Sequence, residues 1–140
     1  MPQLKIVLDT NVLVSGLRSK KGASFQILSM LGTNQFEICL SVALVLEYEE
    51  ILTRLRDPNL FSEKDVKDFI DYICSIGRKF EIHYLWRPTL NDPDDEMILE
   101  LAVAAKADFI VTHNIKDFIK ANVFEVKVIS PIQFLKKVEG

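Results

Sequence analysis

Four acidic residues carry the chemistry that this sequence could perform: Asp9, Glu47, Asp95 and Asp117, with Asp94 an alternative to Asp95. Carboxylates brought together repel one another and resist ionisation unless a cation sits among them. Oxygen donors in a chain with only two histidines select Mg2+ or Mn2+ over Zn2+. Such ions activate water and stabilise the attacking and leaving oxygens of a phosphoryl transfer. If the four acids meet, the expected chemistry is metal-assisted hydrolysis at a phosphate.

Each acid also has a plainer reading. Asp9 follows an apolar stretch directly and could hold a turn. Glu47 falls beside an apolar stripe formed by Leu44, Tyr48, Ile51 and Leu55 at helical spacing, whereas Glu49 and Glu50 point away from it. A half-buried Glu47 needs a cation or an ion pair to an arginine or lysine. Asp92-Pro93-Asp94-Asp95-Glu96 is a good helix start on stability grounds alone, with an N-cap, a proline in the first turn and acids near the positive end of the dipole. Asp95 lies one turn before Ile98 and Leu99 and can point inward while Asp94 or Glu96 faces solvent, although spacing ranks Asp95 only slightly above Asp94. Asp117 could cap a short helix. Thr10, Asn11, Thr112 and Asn114 are suited to support a carboxylate or a bound water by hydrogen bonds. Arg18, Lys20 and Lys21 follow the Asp9 turn and could hold a nucleic-acid backbone, or simply form a solvated loop. His113 and His83 read as polar residues of strands or strand ends rather than ligands.

The elements must bring these residues together. Leu4 to Leu8 is a short apolar run of the kind buried in a parallel sheet. Further strands are expected at Phe36–Leu40, Phe80–Leu85, Asp108–Thr112 and Val126–Ile129. Helices are expected over Ala23–Leu31, from the N-cap Ser41 to Arg56, from the capping box at Ser62 to Gly77, from Asp92 through Ala105, and from Pro131 onward. Strands alternating with helices imply a parallel five-stranded sheet in a three-layer α/β/α sandwich, one domain over 1–140. In such sheets ligands bind beyond the carboxyl ends of the strands, which directs attention to Asp9 and to the segment after Thr112.

The 140 residues suit one core, and 49% hydrophobic with 26% charged residues is ordinary globular composition. No run approaches a membrane span and no signal peptide is evident, so a cytoplasmic location without membrane contact is expected. Cys39 and Cys74 lie far apart without metal-ligand spacing and read as small buried hydrophobes. The net charge of -3 is unfavourable for a nucleic-acid binder, but an acidic cleft can coexist with a basic rim.

The chain resembles the PIN-domain family over essentially its whole length. The strand leading to Asp9-Thr10-Asn11-Val12 looks like the family's opening motif. Glu47-Tyr48-Glu49-Glu50-Ile51-Leu52 looks like its second acidic segment and Asp92-Pro93-Asp94-Asp95 like its third. Ala107-Asp108-Phe109-Ile110-Val111-Thr112 leading to Asp117-Phe118 is similar to its fourth. The resemblance implies a Mg2+- or Mn2+-dependent endoribonuclease that leaves 5′-phosphate and 3′-hydroxyl ends. It further implies a VapC-type toxin held inactive by a cognate antitoxin protein, and a homodimer. One departure stands out: many members carry an acid two residues after the threonine of the fourth motif, where this chain has Asn114, so Asp117 would take the acidic role.

Two alternatives remain. One is a catalytically weak or inactive PIN-like scaffold acting through a protein partner. The other is a phosphate enzyme or receiver domain with Asp9 as phospho-acceptor. A receiver places its acceptor at the third strand, so the order of motifs here opposes it, and the chain has no glycine-rich phosphate loop.

Overall fold

The computed structural model describes residues 3–82, 90 and 92–139, with the backbone alone for 119–123. Five strands form one parallel sheet in the order β3-β2-β1-β4-β5. They are β1 (Leu4–Leu8), β2 (Phe36–Leu40), β3 (Arg78–Lys79), β4 (Phe109–Val111) and β5 (Lys127–Ile129). The helices are α1 (Thr10–Arg18), α2 (Ala23–Ser29), α3 (Val42–Leu55), α4 (Glu63–Ile76), α5 (Pro93–Ala105) and α6 (Pro131–Glu139), and a 3-10 segment spans Ile115–Phe124. The architecture is the expected three-layer α/β/α sandwich.

The sheet's apolar runs explain its position. Ile6, Val7 and Leu8 are buried at the centre, with Ile38, Cys39 and Leu40 on one side and Ile110 and Val111 on the other. Strands buried on both faces read as continuous hydrophobic runs, and these do. The chain leaves β1 toward β2 and β3, then returns to β4 on the other side of β1. The order therefore reverses between β1 and β4, which opens a crevice beyond their carboxyl ends.

Helix starts follow the anticipated chemistry. The Ser41 side chain caps α3 by accepting from the Leu44 amide. Ser62 and Asp65 form a reciprocal capping box on α4. Asp92 caps α5 with Pro93 in the first turn.

Three features differ from the sequence expectation. Helix α1 begins directly after Asp9, where a turn was expected; its valines and Gly16 are poor helix formers, and burial of Thr10, Val12, Leu13 and Gly16 overrides their propensity. β3 begins two residues early, at Arg78, and is only two residues long; residues 83–85 of the anticipated Phe80–Leu85 strand, His83 included, lie outside the described residues. The inward face of α3 runs through Leu44, Tyr48 and Leu52, with Leu55 partly exposed.

Gly16 marks the tightest contact between α1 and α2. A Cβ there would stand 2.4 Å from Leu28 Cδ1, 2.9 Å from Leu28 Cγ and 3.1 Å from the Ser24 carbonyl oxygen. Gly16→Ala gains up to about 1 kcal/mol of helix propensity. The clash outweighs that gain, because overpacking costs about 1–3 kcal/mol. A lower urea midpoint than wild type is expected, and an unchanged or higher midpoint would refute the close contact.

Among the described residues no helix is long and apolar enough to cross a membrane.

Candidate active site

The crevice between β1 and β4 is an open cleft of about 560 Å3. Asp9, Thr10, Asn11, Glu47, Asp94, Asp95, Asn114 and Asp117 all line it, together with Asp92 and Arg18. The elements responsible are the end of β1, the inward edge of α3, the start of α5 and the segment after β4. Acids separated by more than a hundred positions in sequence thus share one space.

Asp9 is the most enclosed of them, 8% exposed. Its backbone amide continues the sheet ladder by donating to the Val111 carbonyl at 3.0 Å. The residue occupies the N-cap position of α1 without a side-chain capping bond. Its carboxylate turns instead to a polar network. Thr112 Oγ1 donates to Asp9 Oδ2 at 2.7 Å, and Asn11 Nδ2 approaches the same oxygen at 3.2 Å. Thr112 is fully buried behind the cleft, and its hydroxyl accepts from the Asn114 amide at 3.0 Å and from Asn11 Nδ2 at 3.3 Å. Burial raises the Asp9 pKa, and the Asp117 charge adds to the rise; the hydrogen bonds from Thr112 and the Thr10 amide, and the nearby His113, oppose it.

Glu47 is half-buried, as the helical spacing predicted, while Glu49 and Glu50 are exposed. The neighbouring Tyr48 donates its buried hydroxyl to the Leu8 carbonyl. That bond pins α3 to the strand that ends in Asp9, and so holds Glu47 at the cleft. The ion pair that the sequence left open for Glu47 is not formed among the described residues. Burial pushes its pKa up to about 7, helped by the charge of Asp94, by Glu50, by a hydrogen bond shared with the Asp94 carboxyl, and by Asp9. Asp95 is also pushed up to about 7, first by burial and then by Asp9, Asp92, Asp117 and Asp94. Both Asp94 and Asp95 line the cleft, Asp95 half-buried and Asp94 exposed. Asp117 is exposed at the rim, its amide bonded to the Asn114 carbonyl at 3.0 Å.

Of the basic residues, Arg18 lines the cleft and donates to the Leu55 carbonyl at 3.4 Å, whereas Lys20 and Lys21 are exposed on the loop after α1 and are not part of the wall. Two residues escaped the sequence reading. Asp92 joins the cleft wall although capping explained it fully. Glu96, expected at the surface if Asp94 was not, is 7% exposed and accepts from the Leu90 amide at 2.6 Å. That bond ties the Leu90 backbone to the first turn of α5, which carries Asp94 and Asp95. Glu96→Ala leaves this buried amide without its acceptor, and a loss of about 1–3 kcal/mol is expected in urea denaturation. A change within a few tenths of a kcal/mol would show that Leu90 finds another partner. No sequence signal reported the inward turn of Glu96, since it follows three other acids.

The donor set is chemically suited to a hard divalent cation: carboxylate oxygens, mutually repelling, with two of them resisting ionisation near neutral pH. The side chains surround the cleft without closing on a point. Among the described residues, no three His, Cys, Asp or Glu side chains stand close enough to hold an ion as they lie. The residues fit such an ion by donor type and by shared cleft, and binding requires them to draw inward.

The parallel sandwich places its carboxylates at the switch point of the sheet, where ligands of such folds bind. The chain belongs to the PIN domain family, whose sequence profile matches residues 5–116. PIN domains are generally nucleases. Comparison with curated proteins finds no match. Among solved structures, the chain is similar to VapBC2 from Rickettsia felis bound to a DNA fragment from their promoter, with 17% identity and a TM-score of 0.62 over 91% of this chain and 98% of that one. It is also similar to FitAB bound to an IR36 DNA fragment, with 18% identity and a TM-score of 0.61 over 90% and 94%. FitAcB from Neisseria gonorrhoeae gives 16% identity and a TM-score of 0.53 over 91% and 98%. At these identities the likeness is one of fold.

Proposed function

We propose that the chain is a Mg2+- or Mn2+-dependent ribonuclease, and that it is the toxin component of a toxin–antitoxin pair, controlled by a cognate protein partner. The observation that carries the nuclease reading is the convergence of Asp9, Glu47, Asp95 and Asp117 on one cleft with no basic side chain paired to them among the described residues.

In this reading Asp9, Glu47 and Asp95 hold the ion, with Asp94 in reach, and Asp117 completes the set in place of the acid that Asn114 replaces. When bound, the ion supplies an activated water and neutralises charge on the scissile phosphate. The remaining work belongs to the chain. Thr112 and Asn11 aim Asp9 by hydrogen bonds to its Oδ2, and the Thr112 bond opposes the rise that burial causes in its pKa. Asn114 holds the Thr112 hydroxyl in register through its amide. Arg18, at the cleft rim, is the basic side chain available to an incoming phosphate. Lys20 and Lys21 would act only on more distant phosphates.

Support for a protein partner comes from an apolar groove of about 470 Å3, lined by Leu17, Leu52, Leu60 and Phe61 among others. It shares Val14, Arg18 and Leu55 with the acidic cleft, so a segment lying in it would reach the site.

The test is cleavage of a mixed RNA pool with Mn2+ by wild type, Asp9→Asn and Asp95→Asn. Cleavage by wild type alone is expected, and equal cleavage by all three would sink the mechanism. Calorimetry addresses the scaffold alternative: Mn2+ binding no stronger in wild type than in Asp9→Asn would argue for the scaffold.

A further inference from the structure

Helix α2 lies outside the cleft, yet one of its side chains is wired to Asp9. Ser24 is 4% exposed, and its Oγ stands 2.9 Å from His113 Nε2. The close approach at Gly16 brings the Ser24 backbone against α1 and so sets where this hydroxyl sits. The His113 amide in turn donates to Asn11 Oδ1 at 3.3 Å. Asn11 uses its other end, Nδ2, on both Asp9 Oδ2 and Thr112 Oγ1.

An asparagine side chain can rotate about its last bond, exchanging amide nitrogen for oxygen. The His113 amide removes that freedom, because its N–H donates and only the Asn11 oxygen can accept. With the oxygen held there, the NH2 group must face Asp9 and Thr112. The Ser24 contact anchors, from α2, the residue that carries this amide.

We propose that His113 and Ser24 form a positioning pair: Ser24 fixes the His113 ring, and the His113 amide fixes Asn11, which orients the Asp9 carboxylate. The proposal rests on the nuclease reading for its consequence in catalysis, but not for its geometry. It assigns His113 no ligand role and no proton transfer.

The test uses Ser24→Ala, His113→Ala, His113→Gln and the Ser24→Ala/His113→Ala double variant. Outer-shell partners of metal ligands typically change affinity by about 10–100-fold. An indirect pair belongs at the low end, so Mn2+ affinity by calorimetry should fall about tenfold in either alanine variant. In RNA cleavage kcat should fall with KM unchanged. His113→Gln, which keeps a side-chain group able to meet Ser24, should recover most of the loss. The double variant should be no worse than His113→Ala alone, because the two residues act in series. Where wild type binds Mn2+, additive losses, or unchanged Mn2+ affinity in His113→Ala, would overturn the pair.

A measurement on the metal-free protein separates this proposal from the nuclease reading. The Asn11 side-chain amide resonances should shift in both Ser24→Ala and His113→Ala, and the His113 ring nitrogens should shift in Ser24→Ala. If wild type neither cleaves RNA nor binds Mn2+ but these shifts occur, the nuclease reading fails and the pair stands. If the Asn11 resonances stay in place in both variants, the pair fails whatever the activity.

Discussion

Asp9→Asn is expected to reduce Mn2+-dependent RNA cleavage by about 100-fold or more, while leaving the metal-free protein at least as stable as wild type. The loss follows from the position of Asp9 at the centre of the cleft. An ion supplies several kcal/mol of transition-state stabilisation, and each 1.36 kcal/mol is a factor of about ten in rate. The stability claim follows from burial. The Asp9 pKa is raised, chiefly by desolvation, so the folded state binds this proton more tightly than the unfolded chain does. Such a group makes stability fall as pH rises from the unfolded pKa toward the folded one, and above both values the penalty is complete. Asparagine removes the charge and its penalty but keeps an oxygen able to accept from Thr112 Oγ1. Thermal denaturation at pH 7.5 should therefore give an equal or higher Tm for the variant without metal. On adding Mn2+, wild type should gain Tm and the variant should not, because a ligand stabilises only the state that binds it. Cleavage within a few-fold of wild type, or a retained Mn2+ shift, would remove Asp9 from the site.

The sequence made much of this arrangement visible because its local signals agreed with one another. Apolar runs at Leu4–Leu8 and Phe36–Leu40, the caps Ser41, Ser62 and Asp92, and Pro131 at a helix start each reported a nearby boundary. Helical phase alone separated Glu47 from Glu49 and Glu50. What failed was information carried by distant neighbours. α1 forms from weak helix formers because Val12 and Leu13 are buried against the rest of the fold, which no local propensity encodes. Spacing ranked Asp95 only slightly above Asp94, and the cleft takes both together with Asp92. Glu96 turns inward because the Leu90 amide needs an acceptor. The link between Ser24 and His113 spans 89 positions, beyond any periodicity, and His113 by itself reads only as a polar residue at a strand end. The meaning of Asn114 also changes with the geometry. It lines the cleft, and its amide serves the Thr112 hydroxyl. Asp117 lines the same cleft from its rim.

That distribution of charge predicts a steep pH dependence of metal binding. Glu47 and Asp95 are both pushed up to about 7, by burial first and then by neighbouring carboxylates. At pH 6 about a tenth of each is ionised, and at pH 8 about nine tenths. An ion that needs both must displace their protons, so binding should release protons below pH 7 and few above pH 8. Because both groups are partly solvated, the expected rise in Mn2+ affinity from pH 6 to pH 8 is between about 10- and 100-fold. Without metal the sign is opposite. Raised carboxylate pKa values mean that the folded state holds more protons than the unfolded chain between about pH 4 and 7, so metal-free stability should fall across that window as pH rises. Calorimetry at pH 6, 7 and 8 in buffers of different ionisation enthalpy gives both the affinity and the proton count. Glu47→Gln should lower the affinity and leave a shallower pH dependence, since only Asp95 then titrates near neutrality. An affinity that is flat from pH 6 to pH 8 would mean that Glu47 and Asp95 do not meet the ion, and the shared cleft would lose two of its proposed ligands.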